Sequence, residues 1–377
     1  MKVLVVSGIW PPDVGGPASH APDVADFLVG RGHGVTVVTT AWEAPAERAY
    51  PVYWVDRQTP KGLLHVRTAL AVARRARDVD VVYTTGMFGR SAAGASLARR
   101  SYVVKLTADP AFERARRRGE VGGNVDDFQR GGGGSRGRAY RWARDVELRH
   151  ATHVFCPSDW LRRLAIAWGV DATRVSVLPN PAPVLPELRP REELKRELGW
   201  NGATLVFAGR LTAQKSLGVA LEAVASADGV KLVIAGEGAE REQLERRASE
   251  LGLRERVRFL GAQPRERVVE LFRAADGAIL SSSWENFPHA VVEALAVGTP
   301  VLATETGGVA EVVADGVNGL LVPSGDARAL GEAIRRFFGD PALRDRLRSG
   351  AAPSVEQYAP GRVFAQLERA LAEAAQR

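Results

Sequence analysis

Three observations predict an α/β chain built of two parallel-sheet domains. Short apolar, β-branched runs alternate with longer amphipathic stretches, as in consecutive strand–helix–strand units. The apolar runs are continuous rather than alternating, as expected of strands covered on both faces. A proline-rich break near the middle separates two such series. At 377 residues the chain exceeds one core and suits two. Both domains read as Rossmann-like.

In the first half, strands are expected at residues 2–7, 34–40, 51–55, 79–84, 102–106, 153–156 and 175–178. In the second half they are expected at 204–208, 231–235, 257–260, 277–280, 300–303 and 319–322. Helical periodicity fills the intervals, for example 217–227, 239–251 and 327–338. A last amphipathic stretch, 355–377, is interrupted by Pro360. The break is Pro179-Asn180-Pro181-Ala182-Pro183, continuing to Pro190. Its prolines fix φ and remove donors, so it reads as a semi-rigid linker. Residues 119–137, with four consecutive glycines from Gly131, read as a mobile loop.

Composition narrows the function. No apolar run approaches the roughly 20 residues of a membrane span, and the opening Met1–Val6 run is too short for a signal sequence. A cytoplasmic protein is the expectation. The single cysteine, Cys156, permits no internal disulfide or multi-cysteine zinc site and reads as structural. The six histidines form no H-x-x-x-H pair, so no metal site is expected. Residues 1–180 hold 26 Lys and Arg against 17 Asp and Glu, whereas residues 181–377 hold 25 against 27. A basic first half points to an anionic partner.

The strongest motif is Ser281–Pro300, S-S-S-W-E-N-F-P-H-A-V-V-E-A-L-A-V-G-T-P. Glu285 lies in the loop after a strand, Pro288 opens a helix, and Glu293 lies on that helix. Two carboxylates there suit recognition of a polyhydroxy ligand, although the pair alone better suits a capped helix with exposed acids. In Phe207–Ser216 a strand ends at Gly209, followed by Arg210 and Lys215. Both cations can point out of the carboxyl end of the sheet, where open α/β folds bind ligands. They could stabilise the charge on a departing diphosphate; alone, the segment also fits a solvated loop. Gly236-Glu237-Gly238, Gly307-Gly308 and Asn318-Gly319 are further strand-end turns.

Taken together, Gly209-Arg210-Leu211 with Lys215, Gly236-Glu237-Gly238, Glu285 through Glu293, Gly298-Thr299-Pro300-Val301, Gly307-Gly308 and Asn318–Val322 resemble family four of the retaining GT-B glycosyltransferases. The resemblance implies two Rossmann-like domains facing across a cleft. The first would span 1–182 plus a returning helix at about 360–377, and the second, nucleotide-sugar-binding, 183–359. It implies that Glu293 binds the ribose, Glu285 the donor sugar, and Arg210 and Lys215 the diphosphate. Gly209, Glu237, Asn286, Phe287 and Pro288 would complete the donor site. Pro11–Pro17 resembles the family's glycine loop, with Gly15 and Gly16 against the diphosphate. The nucleotide sugar is a co-substrate, and no separate cofactor or metal is expected.

One stretch departs from the family. Where many members have a histidine, this chain reads Val103–Pro110, similar to a subgroup with a K-x-x-x-D pattern. Asp109 is then expected near the acceptor hydroxyl or donor sugar and Lys105 to orient the loop, with Lys105, Thr107 and Glu113 on the acceptor side. A helix-capping Asp109 fits equally well. Arginines crowd residues 114–118 and 136–144; they suit an anionic bilayer at the inner face of the membrane, a phosphorylated acceptor, or a solvated basic surface. Trp142, Trp160 and Trp168 read as core or groove residues. The expected reaction moves a sugar to an acceptor hydroxyl with retention, in synthesis of cell-surface polysaccharide or lipid-linked glycan, with a natural-product acceptor as the alternative. Nucleic acid is not an expected partner. A nucleotide-sugar 2-epimerase and a catalytically silent sugar-binding protein are the rival classes.

Overall fold

A computed structural model describes residues 1–13, 16–121, 125–185 and 187–376, and of residues 16–19 and 126 the backbone alone. The chain forms two compact units: Met1–Pro179 together with residues from Gly361 on, and Asn180–Pro360.

The first unit holds β1 (Lys2–Ser7), β2 (Gly34–Ala41), β3 (Val52–Asp56), β4 (Val81–Thr84), β5 (Ser101–Lys105), β6 (His153–Cys156) and β7 (Val175–Val177). Its helices are α1 (Gly16–Gly30), α2 (Lys61–Ala76), α3 (Phe88–Ala98), α4 (Pro110–Arg117), α5 (Val125–Gln129), α6 (Gly134–Arg149) and α7 (Asp159–Ala167). The strands are parallel, in the order β3-β2-β1-β4-β5-β6-β7. The second unit holds β8 (Thr204–Ala208), β9 (Lys231–Ala235), β10 (Val257–Gly261), β11 (Gly277–Leu280), β12 (Val301–Glu305) and β13 (Gly319–Pro323). Its helices are α8 (Arg191–Glu197), α9 (Leu217–Ala225), α10 (Arg241–Glu250), α11 (Arg265–Ala274), α12 (His289–Ala296), α13 (Ala327–Gly339) and α14 (Pro341–Ser354). Its parallel order is β10-β9-β8-β11-β12-β13. Each expected strand is present, its ends shifted by no more than two residues.

Continuous apolar strands follow from cores on both sheet faces. Along β1, Val3 and Val5 face the side covered by α1, while Leu4 and Val6 face the side covered by α2. Each such buried side chain contributes about 1.5–3 kcal/mol. The edge strand β3 is less buried and carries the exposed Tyr53 and Trp54. The last helix, α15 (Pro360–Ala375), buries Val363, Phe364, Leu367 and Leu371 against Val3, Val5 and Leu28 of the first unit. Pro360 starts this helix rather than interrupting it, as a residue with no N–H to lose should. Helices α2 and α3 pack closely at Gly94, where a Cβ would lie 2.9 Å from the Ala69 carbonyl and 2.6 Å from Val72 Cγ1.

Two expectations are corrected. Part of the segment read as a mobile loop is folded: it contains α5 and the start of α6. Phe128 is buried against Phe112, and Arg141 Nη1 donates to the carbonyls of Phe128 and Gly132, each at 2.9 Å. The glycines there allow close backbone packing, since a Cβ on Gly137 would collide with the Gly132 carbonyl. Trp168 is buried as expected, but Trp142 faces solvent from α6.

Candidate functional site

In the second sheet the chain order reverses between β8 and β11: β8 to β10 run one way and β11 to β13 the other. Neighbouring loops at such a point leave in opposite directions and open a crevice at the strands' carboxyl ends. Residues 209–216 and 281–288 form its two sides.

Lys215 and Glu285 meet across this point in an ion pair. Ser282 Oγ donates to the same Glu285 oxygen at 2.8 Å, and Glu285 is 6% exposed. Backbone ties hold the pair. Ser281 Oγ donates to the Lys215 carbonyl at 2.9 Å, Ser283 N to the Gln214 carbonyl at 2.8 Å, and Gln214 Nε2 to the Trp284 carbonyl at 3.0 Å. Arg210 leaves the end of β8 exposed and makes no ion pair among the described residues. Glu293 is half-buried on α12 and paired with Arg265 of α11 at 3.3 Å. Burial pushes its carboxyl above the usual range while Arg265 pulls it back.

Two glycines fix how the loops meet. A Cβ on Gly236 would overlap the Gly209 carbonyl, and one on Gly307 would overlap the Glu285 carbonyl. Gly307 also adopts φ +53°, which favours glycine. Gly209 N donates to Ala235 O, Leu211 N to Glu237 O, and Gly308 N to Glu285 O, at 3.0, 2.9 and 2.9 Å. The loop bearing Glu237 thus runs beside Arg210, while the Glu237 carboxylate is exposed and pairs with Arg241. Asn286 is half-buried. Phe287 lies in the core edge-on to Tyr358, and the buried Pro288 precedes α12. Phe287 and Pro288 therefore shape the loop from within.

In the first unit, Gly15 lies outside the described residues and Gly16 begins α1. Asp109 shows the capping arrangement. It is 2% exposed, accepts from Ala111 N at 2.8 Å, from Gln129 Nε2 at 2.7 Å and from Arg144 Nη1 at 2.9 Å. An acceptor-facing carboxylate is not what this geometry presents. Arg144 is itself buried and stacks on Trp168 at 3.9 Å. Glu113 pairs with Arg116 along α4 at 3.0 Å, and Thr107 is half-buried in the preceding loop.

Lys105 is buried and donates to the Leu178 carbonyl. Burial lowers its pKa from 10.5 to about 7. Between those values the unfolded chain holds a proton that the folded chain does not. The cost to stability is complete below about pH 7 and disappears as the pH rises to 10.5. Lys105→Met is therefore expected to stabilise the protein at pH 7 by more than ~1 kcal/mol, even with the Leu178 carbonyl left unpaired. Urea unfolding at several pH values reads this, and a less stable variant would contradict it.

Sequence reasoning missed several partners: Ser282, Gln214, Arg265 and Arg144. Ser282 and Gln214 lie inside quoted motifs but carry no distinguishing pattern. Arg265 and Arg144 are distant in sequence from what they bind, and only the folded chain brings them there. Arg57 was also missed: it donates to Asp13 at 2.7 Å and to the Gly8 and Thr40 carbonyls at 2.8 and 2.7 Å, fastening the loop after β1.

Residues 15–181 match the glycosyl transferase 4-like domain and residues 190–352 the glycosyl transferases group 1. The chain is 38% identical over 202 residues to the D-inositol 3-phosphate glycosyltransferase of Nocardia farcinica, a match covering 50% of this chain and 44% of that protein. It is 40% identical over 147 residues to the lipopolysaccharide core biosynthesis glycosyltransferase LpsE of Rhizobium meliloti, covering 39% of this chain and 43% of that protein. These matches span less than half of either relative. Among solved structures, HepE of Anabaena, in complex with UDP-glucose, superimposes with a TM-score of 0.79 at 22% identity, covering 99% of this chain and 100% of that one. The paired family matches make the chain similar, over residues 15–181 and 190–352, to the group 1 glycosyl transferases, and its two parallel sheets, superimposing on HepE, have the GT-B fold.

Proposed function

We propose that this chain is a nucleotide-sugar-dependent glycosyltransferase whose second unit holds the donor, and that it transfers the sugar with retention. The observation that carries the reading is the Lys215–Glu285 pair spanning the reversal of the second sheet. Arg210 and Lys215 hold the diphosphate, Glu285 takes hydroxyls of the sugar, and Glu293 takes the ribose hydroxyls. A carboxylate accepts two such hydroxyls in charge-assisted bonds, and Arg265 favours the charged form of Glu293.

The proposed step is front-face. The bond between the anomeric carbon and the diphosphate oxygen breaks, and the acceptor oxygen bonds to the same face. The acceptor's proton passes to the departing diphosphate, whose charge the two cations stabilise. Asp109, enclosed by Arg144 and Gln129, has no part in this path. The relatives are named as a D-inositol 3-phosphate glycosyltransferase and a lipopolysaccharide core biosynthesis glycosyltransferase, which supports a polyol or glycan acceptor.

Thermal-shift measurement against UDP-, GDP-, ADP- and TDP-sugars identifies the donor. For the nucleotide that binds, Glu293→Ala is expected to weaken affinity at least ~10-fold, the loss of about one charge-assisted bond. An unchanged Kd would remove Glu293 from the site. Incubation with donor alone, followed by analysis for an epimer, tests the 2-epimerase alternative.

A further inference from the structure

The surface of α2 is unlike that of a helix packed on a sheet. Its inner face buries Thr68, Val72 and Ala76. Its outer face repeats at helical spacing through Leu63, Val66 and Leu70, which are 45, 56 and 44% exposed. Lys61, Arg67 and Arg74 are exposed around this stripe and make no ion pair among the described residues. The neighbouring α3, held against α2 at Gly94, adds Leu97 at 66% exposure. Neither helix contains an acidic residue, and the nearest acids in sequence, Asp56 and Asp78, lie beyond the two ends of α2.

The arginine-rich segment of α4 and α6 has a different character. There Arg114 faces Glu147 at 4.0 Å, Arg116 pairs with Glu113 at 3.0 Å, Arg136 with Glu120 at 3.0 Å, and Arg144 with Asp109 at 2.9 Å. Those four are ion-paired, and Arg144 is buried as well. Their charge is met locally, whereas Lys61, Arg67 and Arg74 of α2 flank an exposed aliphatic stripe without such partners among the described residues.

We propose that the outer face of α2, extended by α3, docks on an anionic lipid bilayer. The apolar stripe would enter the boundary between head groups and acyl chains, with Lys61, Arg67 and Arg74 on lipid phosphates. An exposed aliphatic stripe costs free energy in water, and unpaired cations around it select a negatively charged apolar surface. This inference goes beyond the donor reading and stands independently of it. No described helix is long and apolar enough to cross a membrane, so the attachment would be peripheral.

The test is sedimentation of the full chain with phosphatidylcholine vesicles, with and without phosphatidylglycerol. Binding is expected only with the anionic lipid and should weaken with salt. Leu63→Ser with Leu70→Ser, and separately Lys61→Glu with Arg67→Glu, should each lower vesicle affinity at least ~10-fold. Both pairs are exposed, so the melting temperature should stay unchanged. Arg117→Glu with Arg138→Glu, on α4 and α6, should bind as the parent does. Failure of the parent to bind, or loss confined to the α4 and α6 variant, overturns the proposal. So does a parent that dimerises through this face, seen as a dimer that the Leu63→Ser, Leu70→Ser chain no longer forms in size-exclusion chromatography.

Discussion

Lys215→Ala is expected to slow nucleoside diphosphate release from the sugar donor by roughly 10²–10³-fold, the effect of removing one group that stabilises developing charge. The substitution acts twice. It removes a cation from the diphosphate, and it leaves the buried Glu285 with Ser282 as its side-chain partner among the described residues. Because the two residues work as a unit, Lys215→Ala and Glu285→Ala should be far from additive: the double variant should fall little below the worse single one. Steady-state kinetics on the three variants reads this. A loss under about threefold for Lys215→Ala would place the reaction elsewhere. Lys215→Arg should rescue poorly, since a planar guanidinium cannot take the same position against Glu285.

Asp109→Asn is expected to produce the largest effect on stability. Its carboxylate caps α4 and neutralises the buried Arg144, whose other ion-pair partner among the described residues is Asp145, at 2.8 Å. Removing one partner of a buried ion pair costs about 3–5 kcal/mol, because the other charge stays desolvated. For a unit of this size that lowers the Tm on the order of 10 °C. Transfer by the folded fraction should change little. The opposite outcome, normal stability with transfer lost, would restore Asp109 to the chemistry. Thermal unfolding beside single-temperature kinetics separates the two.

The contrast between Lys215 and Asp109 shows what could be read from the chain. The strands were legible because β1, β4, β8 and β11 are buried on both faces, and continuous apolar runs record that directly. The Lys215–Glu285 meeting was legible because each residue follows a strand end, and strand ends come together in a parallel sheet. Asp109 also follows a strand end, but its role depends on Arg144, thirty-five residues away on α6. No local pattern announces such a partner. The glycine run misled for a related reason: glycine marks both loose chain and the tightest backbone contacts, and Gly137 against Gly132 is of the second kind. The arginines of α4 and α6 looked like a free basic surface because sequence displays charges without their counter-ions.

The return of α15 to the first unit inverts the usual order of maturation on the ribosome. Val363, Phe364 and Leu367 join the core of Val3 and Val5, so the early half lacks part of that core until residues 361–375 emerge. Asn180–Pro360 has every strand and helix it needs before then. The later-synthesised half can settle first, leaving the nascent amino-terminal sheet with one greasy flank uncovered, an interval in which chaperones have something to grip.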